Sequence, residues 1–269
     1  MPRKRSKNET VLRPVRPNAG IEACYRNRLV ALIDEMNASI LYWVRAAYRA
    51  HEPILARDEV NPASALRAAI RDLVKRWQGR FDEGANALAQ YFAETASKRS
   101  DAALKSILRR AGFTVKFRMT KAARDVIQAT IAQNVSLIKS IPAQYLTNVE
   151  GIVMRSVQTG RDLGQLTDDL REQFGVTKRR AAFIARSQNN LATAAMTRAR
   201  QVELGITEAI WMHSGGGKEP RPTHLNAGRE RARFDVAKGW YDPAVKEHIW
   251  PGQLPNCRCV SRSVIAGFS

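Results

Sequence analysis

The most informative part of this sequence is the last third of the chain. It begins Trp211-Met212-His213 and continues with Arg221-Pro222-Thr223-His224. It closes with His248-Ile249-Trp250-Pro251-Gly252 and Pro255-Asn256-Cys257-Arg258-Cys259. Glycine, proline and tryptophan interrupt this region, whereas the chain before it has the apolar spacing of helices. We therefore expect a small loop-rich α+β module over residues 206–269, with strands near 207–213, 233–236 and 260–265.

The sequence upstream of the module predicts a series of helices over residues 18–205. Apolar residues recur every three or four positions from 19 to 50, and Asn61-Pro62 has the form of a helix start. Proline, glycine or a capping threonine divides the rest, so that separate helices are expected over 62–77, 82–110, 120–140, 142–160, 163–174 and 177–204. Residues 113–119 alternate apolar and polar, which indicates a short strand or an extended arm. The expected fold class is mainly α, with long helices in the N-terminal two-thirds and the α+β module at the C-terminal end.

The first 17 residues predict a flexible basic arm, because cations cluster there and two prolines interrupt them. Such arms bind phosphates and release counterions from nucleic acid. The expected nucleic-acid-binding residues are Arg3, Lys4, Arg5, Lys7, Arg13 and Arg16.

The whole chain is strongly basic, with a formal net charge of +19 at pH 7. A charge of this size favours nucleic acid, an anionic membrane or an acidic protein as a partner, and its spread along the helices favours the first and the last. No apolar run follows the basic start and no stretch is long enough to cross a bilayer, so we expect neither a secretory signal nor a membrane segment. Three cysteines do not make a disulfide framework, which favours a reducing compartment.

Two of the three cysteines lie in the C-terminal stretch, at the spacing Cys257-x-Cys259. Two thiolates at this spacing can share one Zn²⁺, with imidazole nitrogen completing the tetrahedron. The candidate metal ligands are therefore His224, Cys257 and Cys259, with either His213 or His248 as the fourth. Zinc would also supply folding free energy to a module with a small core. The alternative is that both thiols are reduced and His224 is a buried hydrogen-bonding residue.

A catalytic role competes with the metal-only interpretation. Clustered histidines in a basic protein favour a DNA-binding effector or a nuclease-like protein that uses the C-terminal His/Cys cluster. No pair of carboxylates for Mg²⁺ accompanies them, and no spacing fixes a general acid and a general base. The residues that this alternative would use are His213, Glu219, Arg221, His224, Asp235 and His248.

The order of the C-terminal motifs resembles a known family. An Arg-Pro-x-His segment, then a Pro-Gly turn and a Pro-Asn-Cys-Arg-Cys ending, is similar to the Mu F-like head-morphogenesis proteins, the minor head proteins of tailed phages. The resemblance covers about residues 180–265. In the family an Asp usually precedes Arg-Pro-x-His, whereas this chain has Lys218-Glu219. The residues that carry the motif are Trp211, Arg221, Pro222, His224, Pro255, Asn256, Cys257 and Cys259.

The resemblance implies a minor structural protein of a tailed-phage head rather than an enzyme. It would act in head morphogenesis at the portal or the inner capsid, contact packaged double-stranded DNA and leave with it on ejection. The implied partners are the portal protein, the major capsid or scaffolding protein, and DNA. The implied location is the virion, inside the head near the portal, after assembly in the host cytoplasm.

Overall fold

A computed structural model describes residues 9–50, 62–159, 162–216 and 219–266. Four long helices occupy most of the chain before residue 205, and short strands follow, so the expected fold class is confirmed. In chain order the elements are β1 (Glu9–Val11), α1 (Ala19–Ala50), α2 (Pro62–Arg110), α3 (Lys121–Gln158), α4 (Leu163–Glu203), β2 (Glu208–Met212), α5 (Pro222–Arg229), β3 (Arg233–Asp235), β4 (Trp240–Asp242), β5 (Glu247–Ile249) and β6 (Val260–Ala266). None of the helices in the described ranges is long and apolar enough to cross a membrane.

The helices are fewer and longer than predicted, because buried apolar residues continue across three of the expected breaks. In α2 the expected gap at 78–81 is helical, with Trp77 and Phe81 both buried one turn apart. In α3 Pro142 lies inside the helix, where it removes one backbone hydrogen bond, but Ile138, Ile141 and Tyr145 remain buried on either side of it. Core packing therefore outweighs these local breaking signals.

The break predicted between residues 174 and 177 is also absent, and α4 is continuous from Leu163 to Glu203. Thr177 does not cap a new helix, because its hydroxyl donates back to the Gln173 carbonyl oxygen at 3.0 Å. The predicted helix end at Gly205 is confirmed: Gly205 has a φ of 69°, and the amide of Ile206 donates to the Gln201 carbonyl oxygen at 2.9 Å.

The described chain divides into two compact units. The first comprises Met1–Glu22, Gln90–Ile131 and Arg186–Ser269, and the second comprises Ala23–Ala89 and Ala132–Ala185. Within the described ranges the second unit consists of parts of α1 to α4. Long-range side-chain hydrogen bonds fix the register of its helices, including Tyr25 Oη to Asn134 Oδ1 at 2.9 Å and Tyr145 Oη to Asn37 Oδ1 at 2.7 Å.

The first unit joins the C-terminal ends of α2 and α4 to the strands. Arg200, almost fully buried, donates two hydrogen bonds to Asp101 at 2.7 and 2.8 Å and one to Glu203 at 2.6 Å. It also donates to the Arg118 carbonyl oxygen at 2.7 Å. One guanidinium thus ties α4 to α2 and to the segment that precedes α3.

The strands of the first unit form two antiparallel sheets. The larger sheet has the order β1-β6-β2-β3, and β4 and β5 form a separate hairpin. The strands predicted near 207–213, 233–236 and 260–265 correspond to β2, β3 and β6. Residues 113–119 form no strand; Phe113, Val115 and Phe117 instead pack against the buried Leu104 and Leu108 of α2.

The prediction of a flexible arm over residues 1–17 is wrong for residues 9–17. Residues 1–8 lie outside the described ranges, and with them Arg3, Lys4, Arg5 and Lys7. Residues 9–17 are folded instead, because β1 pairs with β6 and because Leu12 and Val15 are buried. Burial of these two apolar side chains favours an ordered segment despite the neighbouring cations. Arg13 and Arg16 remain exposed.

Candidate metal centre

Three ligand-type side chains from distant parts of the sequence meet inside the first unit. His224, Cys257 and Cys259 are each at most 4% exposed, and their ligand atoms all lie within 4.8 Å of one another. His224 Nδ1 is 3.4 Å from Cys257 Sγ and 3.9 Å from Cys259 Sγ. One imidazole nitrogen therefore faces two thiol sulfurs.

The Arg-Pro-x-His motif places the imidazole. Arg221 is the extended residue before α5, and Pro222 occupies the first turn, where a missing N–H costs nothing. The Arg221 guanidinium donates to the Pro255 carbonyl oxygen at 3.1 Å. This bond joins the start of α5 to the Pro-Asn-Cys-Arg-Cys segment, so His224, within the first turn of the helix, is held beside the thiols.

The loop that carries the thiols is fixed from both sides. The Cys257 amide donates to the Leu254 carbonyl oxygen at 2.9 Å, and the Asn190 side chain donates to the Cys257 carbonyl oxygen at 3.0 Å. Gly252 has a φ of 88°, and a Cβ there would lie 3.0 Å from the Cβ of Ala194. The loop therefore packs directly on α4 at a position that requires glycine.

A carboxylate that lies outside the sequence motifs contacts the other ring nitrogen of the imidazole. Asp242 is fully buried, and its Oδ2 is 3.2 Å from His224 Nε2. Its Oδ1 accepts from the Ala244 amide at 2.9 Å, which fixes the carboxylate at the β4–β5 turn. A proton on Nε2, shared with Asp242, leaves the Nδ1 lone pair directed at the sulfurs. The only sequence signal for Asp242 is its position before Pro243, which is the ordinary signal of a turn.

The two thiols share a proton unequally. A hydrogen bond from the Cys259 thiol lowers the pKa of Cys257 to about 4, and hydrogen bonds from the backbone of Cys259 and Gly252 act in the same direction, although burial opposes them. The hydrogen bond to Cys257 raises the pKa of Cys259, as do burial and the neighbouring negative charge. The lowered pKa therefore favours the thiolate form of Cys257. A cation that displaces the shared proton would also bind Cys259 as a thiolate.

Trp211 forms an aromatic wall of the centre. Its ring centroid is 4.9 Å from that of His224, in an edge-to-face arrangement, and 5.1 Å from that of Trp240. Its indole nitrogen is buried and has no hydrogen-bonded nitrogen or oxygen partner among the described residues. The same indole lowers the pKa of Cys259 against the larger opposing effects of Cys257 and burial. A buried donor of this kind suits a negatively charged sulfur.

The separations fit zinc. With a Zn–S bond of about 2.3 Å and a Zn–N bond of about 2.0–2.1 Å, tetrahedral geometry requires about 3.6 Å between a nitrogen and a sulfur ligand. The observed 3.4 and 3.9 Å lie on either side of this separation. Thiolate and imidazole ligands also disfavour Mg²⁺ and Ca²⁺, which prefer oxygen.

The remaining histidine candidates do not join the cluster. His248 is exposed and contacts Tyr241 edge-to-face, at 5.5 Å between ring centroids, and His213 Nδ1 accepts from the Gly215 amide at 3.1 Å. Glu219 is exposed, and Asp235 accepts from the amides of the turn that follows it. Within the described ranges the centre therefore contains three candidate protein ligands.

Comparisons with known proteins agree with the motif. Residues 147–262 match the family model described as "Phage Mu protein F like protein", a range that contains every motif residue from Trp211 to Cys259. A protein of Haemophilus influenzae named "Uncharacterized protein" is 27% identical over 259 residues, which is 94% of this chain and 55% of the relative. The chain thus spans about half the length of that curated relative. No solved structure matches the chain.

Proposed function

We propose that this chain, which carries a Mu F-like region over residues 147–262, is a minor structural protein of a tailed-phage head. It acts in head morphogenesis at the portal or the inner capsid, contacts packaged DNA, and does no covalent chemistry. The observation that carries the proposal is the family match over a range that contains the whole Arg-Pro-x-His and Pro-Asn-Cys-Arg-Cys motif. The proposed partners are the portal protein, the major capsid or scaffolding protein, and double-stranded DNA.

A basic surface in the first unit supports contact with DNA. Residues 97–118 contain seven basic residues and one acidic residue, Asp101, whose charge is already paired with Arg200. All seven cations are exposed, so they are available to phosphates. These basic residues, which we call the α2-end patch, are Lys98, Arg99, Lys105, Arg109, Arg110, Lys116 and Arg118.

The N-terminal segment adds to the same unit. Arg16 and Arg99 line one cavity of about 270 Å³, together with Asn18 and Ser100. Two exposed guanidinium groups beside polar side chains form a suitable phosphate-binding surface. We therefore expect Arg16 to act with the α2-end patch, whereas the role of Arg3, Lys4, Arg5 and Lys7 rests on their charge alone.

Quantitative mass spectrometry of purified particles tests the proposal. Phage particles that encode this chain would be measured intact and after triggered release of DNA. A few copies per particle, recovered with the portal after mild disassembly, is the expected result. Loss of these copies on release would indicate ejection with the DNA, and retention would indicate a role confined to assembly or to closure of the portal. Absence from particles would overturn the assignment.

A further inference from the structure

We propose that His224 Nδ1, Cys257 Sγ and Cys259 Sγ bind one zinc ion, and that Asp242 positions His224 for this role. The centre is a structural clamp that holds α5, the β4–β5 hairpin and the C-terminal loop together. The proposal does not depend on the phage-head assignment, because it rests on the geometry of four side chains.

A bound cation would balance the charge of two thiolates in this centre. Two thiolates buried among Trp211, Ala227 and other core residues would be costly without a compensating positive charge. His224 cannot supply it as an imidazolium and also coordinate a metal, since its Nδ1 faces the sulfurs and its Nε2 faces Asp242. A zinc ion bound to both sulfurs balances the charges of the two thiolates.

The surrounding groups match the second shell of a zinc site. Asp242 accepts from the ring nitrogen that would not bind the metal, as in the carboxylate–histidine–zinc arrangement. The Trp211 ring centroid lies 4.9 Å from that of His224, and its buried indole N–H has no nitrogen or oxygen partner among the described residues, which suits a donor to a sulfur ligand. A bound zinc ion would explain why a fully buried carboxylate and a buried indole N–H beside a sulfur occur within one small core.

The connectivity explains what the ion would stabilise. His224 lies on α5, Asp242 ends β4, and the two cysteines precede β6. These segments belong to a module whose strands, except for β2 and β6, are only three residues long. Short strands and a small core supply little folding free energy, so a metal that links the three segments supplies a large share.

Metal content is the first test. The full chain would be purified under reducing conditions from zinc-supplemented cells, and zinc per chain would be measured by elemental analysis. About one zinc per chain is expected for the parent and for two control variants, Cys24→Ser and His248→Ala. The variants Cys257→Ser, Cys259→Ser and His224→Ala should retain less than about a tenth of that amount. Equal zinc loss in the control variants would overturn the proposal.

Cobalt spectroscopy keeps the test decisive if a site variant fails to fold. The parent chain, freed of zinc with a chelator, would be titrated with Co²⁺. Cobalt binds at the zinc site, and its absorption spectrum depends on which ligands bind it. A thiolate-to-cobalt band in the near ultraviolet and intense tetrahedral bands in the visible, saturating at one equivalent, are expected for the parent and for Cys24→Ser. A folded parent chain that shows no stoichiometric zinc and no thiolate–cobalt band would overturn the proposal.

Discussion

The Nε2 of His224 lies 3.2 Å from Oδ2 of Asp242, and both side chains are buried. They are 18 residues apart and come from α5 and from the last residue of β4. The contact fixes the orientation of the imidazole and thereby the position of Nδ1 against the two sulfurs. It connects the Arg-Pro-x-His motif with a carboxylate that lies outside both sequence motifs.

Asp242→Asn should weaken metal binding without removing a ligand. The amide keeps the Oδ1 acceptor for the Ala244 amide but presents an N–H₂ group to His224 Nε2, so the imidazole loses its acceptor. Loss of such a second-shell partner typically lowers metal affinity about 10–100-fold. Competition with a chromophoric chelator measures the change. Asp235→Asn, another carboxylate that accepts from turn amides in the same module, is the matched control and should leave the affinity unchanged.

The stability of the chelated protein should depend on pH through Cys257. Its pKa is lowered to about 4, mainly by the hydrogen bond from Cys259, against an ordinary value of 9.0. The pKa of Cys259 is raised, so between these limits the folded pair holds one proton and the unfolded pair holds two. The free energy of unfolding therefore increases with pH from about 4 to about 9, and this contribution is lost as pH falls.

Urea unfolding of chelated, reduced protein at several pH values measures this dependence. The comparison is with Cys257→Ser, which removes the depressed thiol but keeps the other titrating groups. The difference in unfolding free energy between parent and variant should grow as pH rises toward the ordinary thiol pKa of 9.0. A difference independent of pH would show that the two sulfurs do not share a proton.

Arg200→Ala should destabilise the first unit by about 3 kcal/mol. It leaves Asp101 and Glu203 without their cation, and loss of one partner of a buried pair costs about 3–5 kcal/mol. The lower end applies because the two carboxylates are about a quarter exposed. Arg171→Ala removes a solvent-exposed pair with Asp168 and should cost less than about 0.5 kcal/mol. Equal costs in urea unfolding would contradict the role assigned to Arg200.

Two glycine substitutions should change stability in opposite directions. A Cβ at Gly228 would lie 2.4 Å from the Cβ of His213 and 2.9 Å from its backbone nitrogen, so Gly228→Ala forces α5 away from β2. A loss of about 1–3 kcal/mol is expected from such overpacking. Gly79 lies within α2, and a Cβ added there would have no neighbouring atom within 4 Å, so Gly79→Ala should gain about 0.5–1 kcal/mol. Thermal unfolding of both variants checks the sign.

The salt dependence of DNA binding should fall when the α2-end patch is neutralised. Each phosphate contact contributes about 0.9 to the slope of log affinity against log salt concentration. Replacing three of its cations with glutamine should reduce the slope by as much as about 2.7, while three replacements in the first half of the same helix should not change it. The test variant carries R99Q, K105Q and R109Q, and the control carries R67Q, R71Q and R80Q. Equal slopes would show that the patch does not contact DNA.

Much of the fold could be predicted because helices repeat a local pattern. The apolar spacing identified α1 and the helical character of most of residues 62–203, and the capping role of Thr120 is confirmed by a 3.2 Å hydrogen bond from the Ala123 amide. The breaks were wrong because Pro142, Gly175 and Thr177 are local signals. Buried residues on both sides of each break decide whether a helix continues, and burial is a property of the tertiary fold.

The candidate site was predictable only in part, because the tertiary fold decides which side chains meet. Cys257, Cys259 and His224 carry their chemistry in the sequence, so their residue types were sufficient to select them. Asp242 has the sequence context of an ordinary turn residue, and its role depends on where the β4–β5 hairpin lies. His213 and His248 were indistinguishable from His224 by residue type, and only the fold separates them.

X-ray absorption spectroscopy at the zinc edge, on the zinc-loaded full chain, tests the metal centre most directly. Two sulfur neighbours at about 2.3 Å and an imidazole nitrogen at about 2.0–2.1 Å are the predicted result. Cys24→Ser should give the same spectrum. A first shell of nitrogen and oxygen without sulfur would contradict the assignment of Cys257 and Cys259 as ligands.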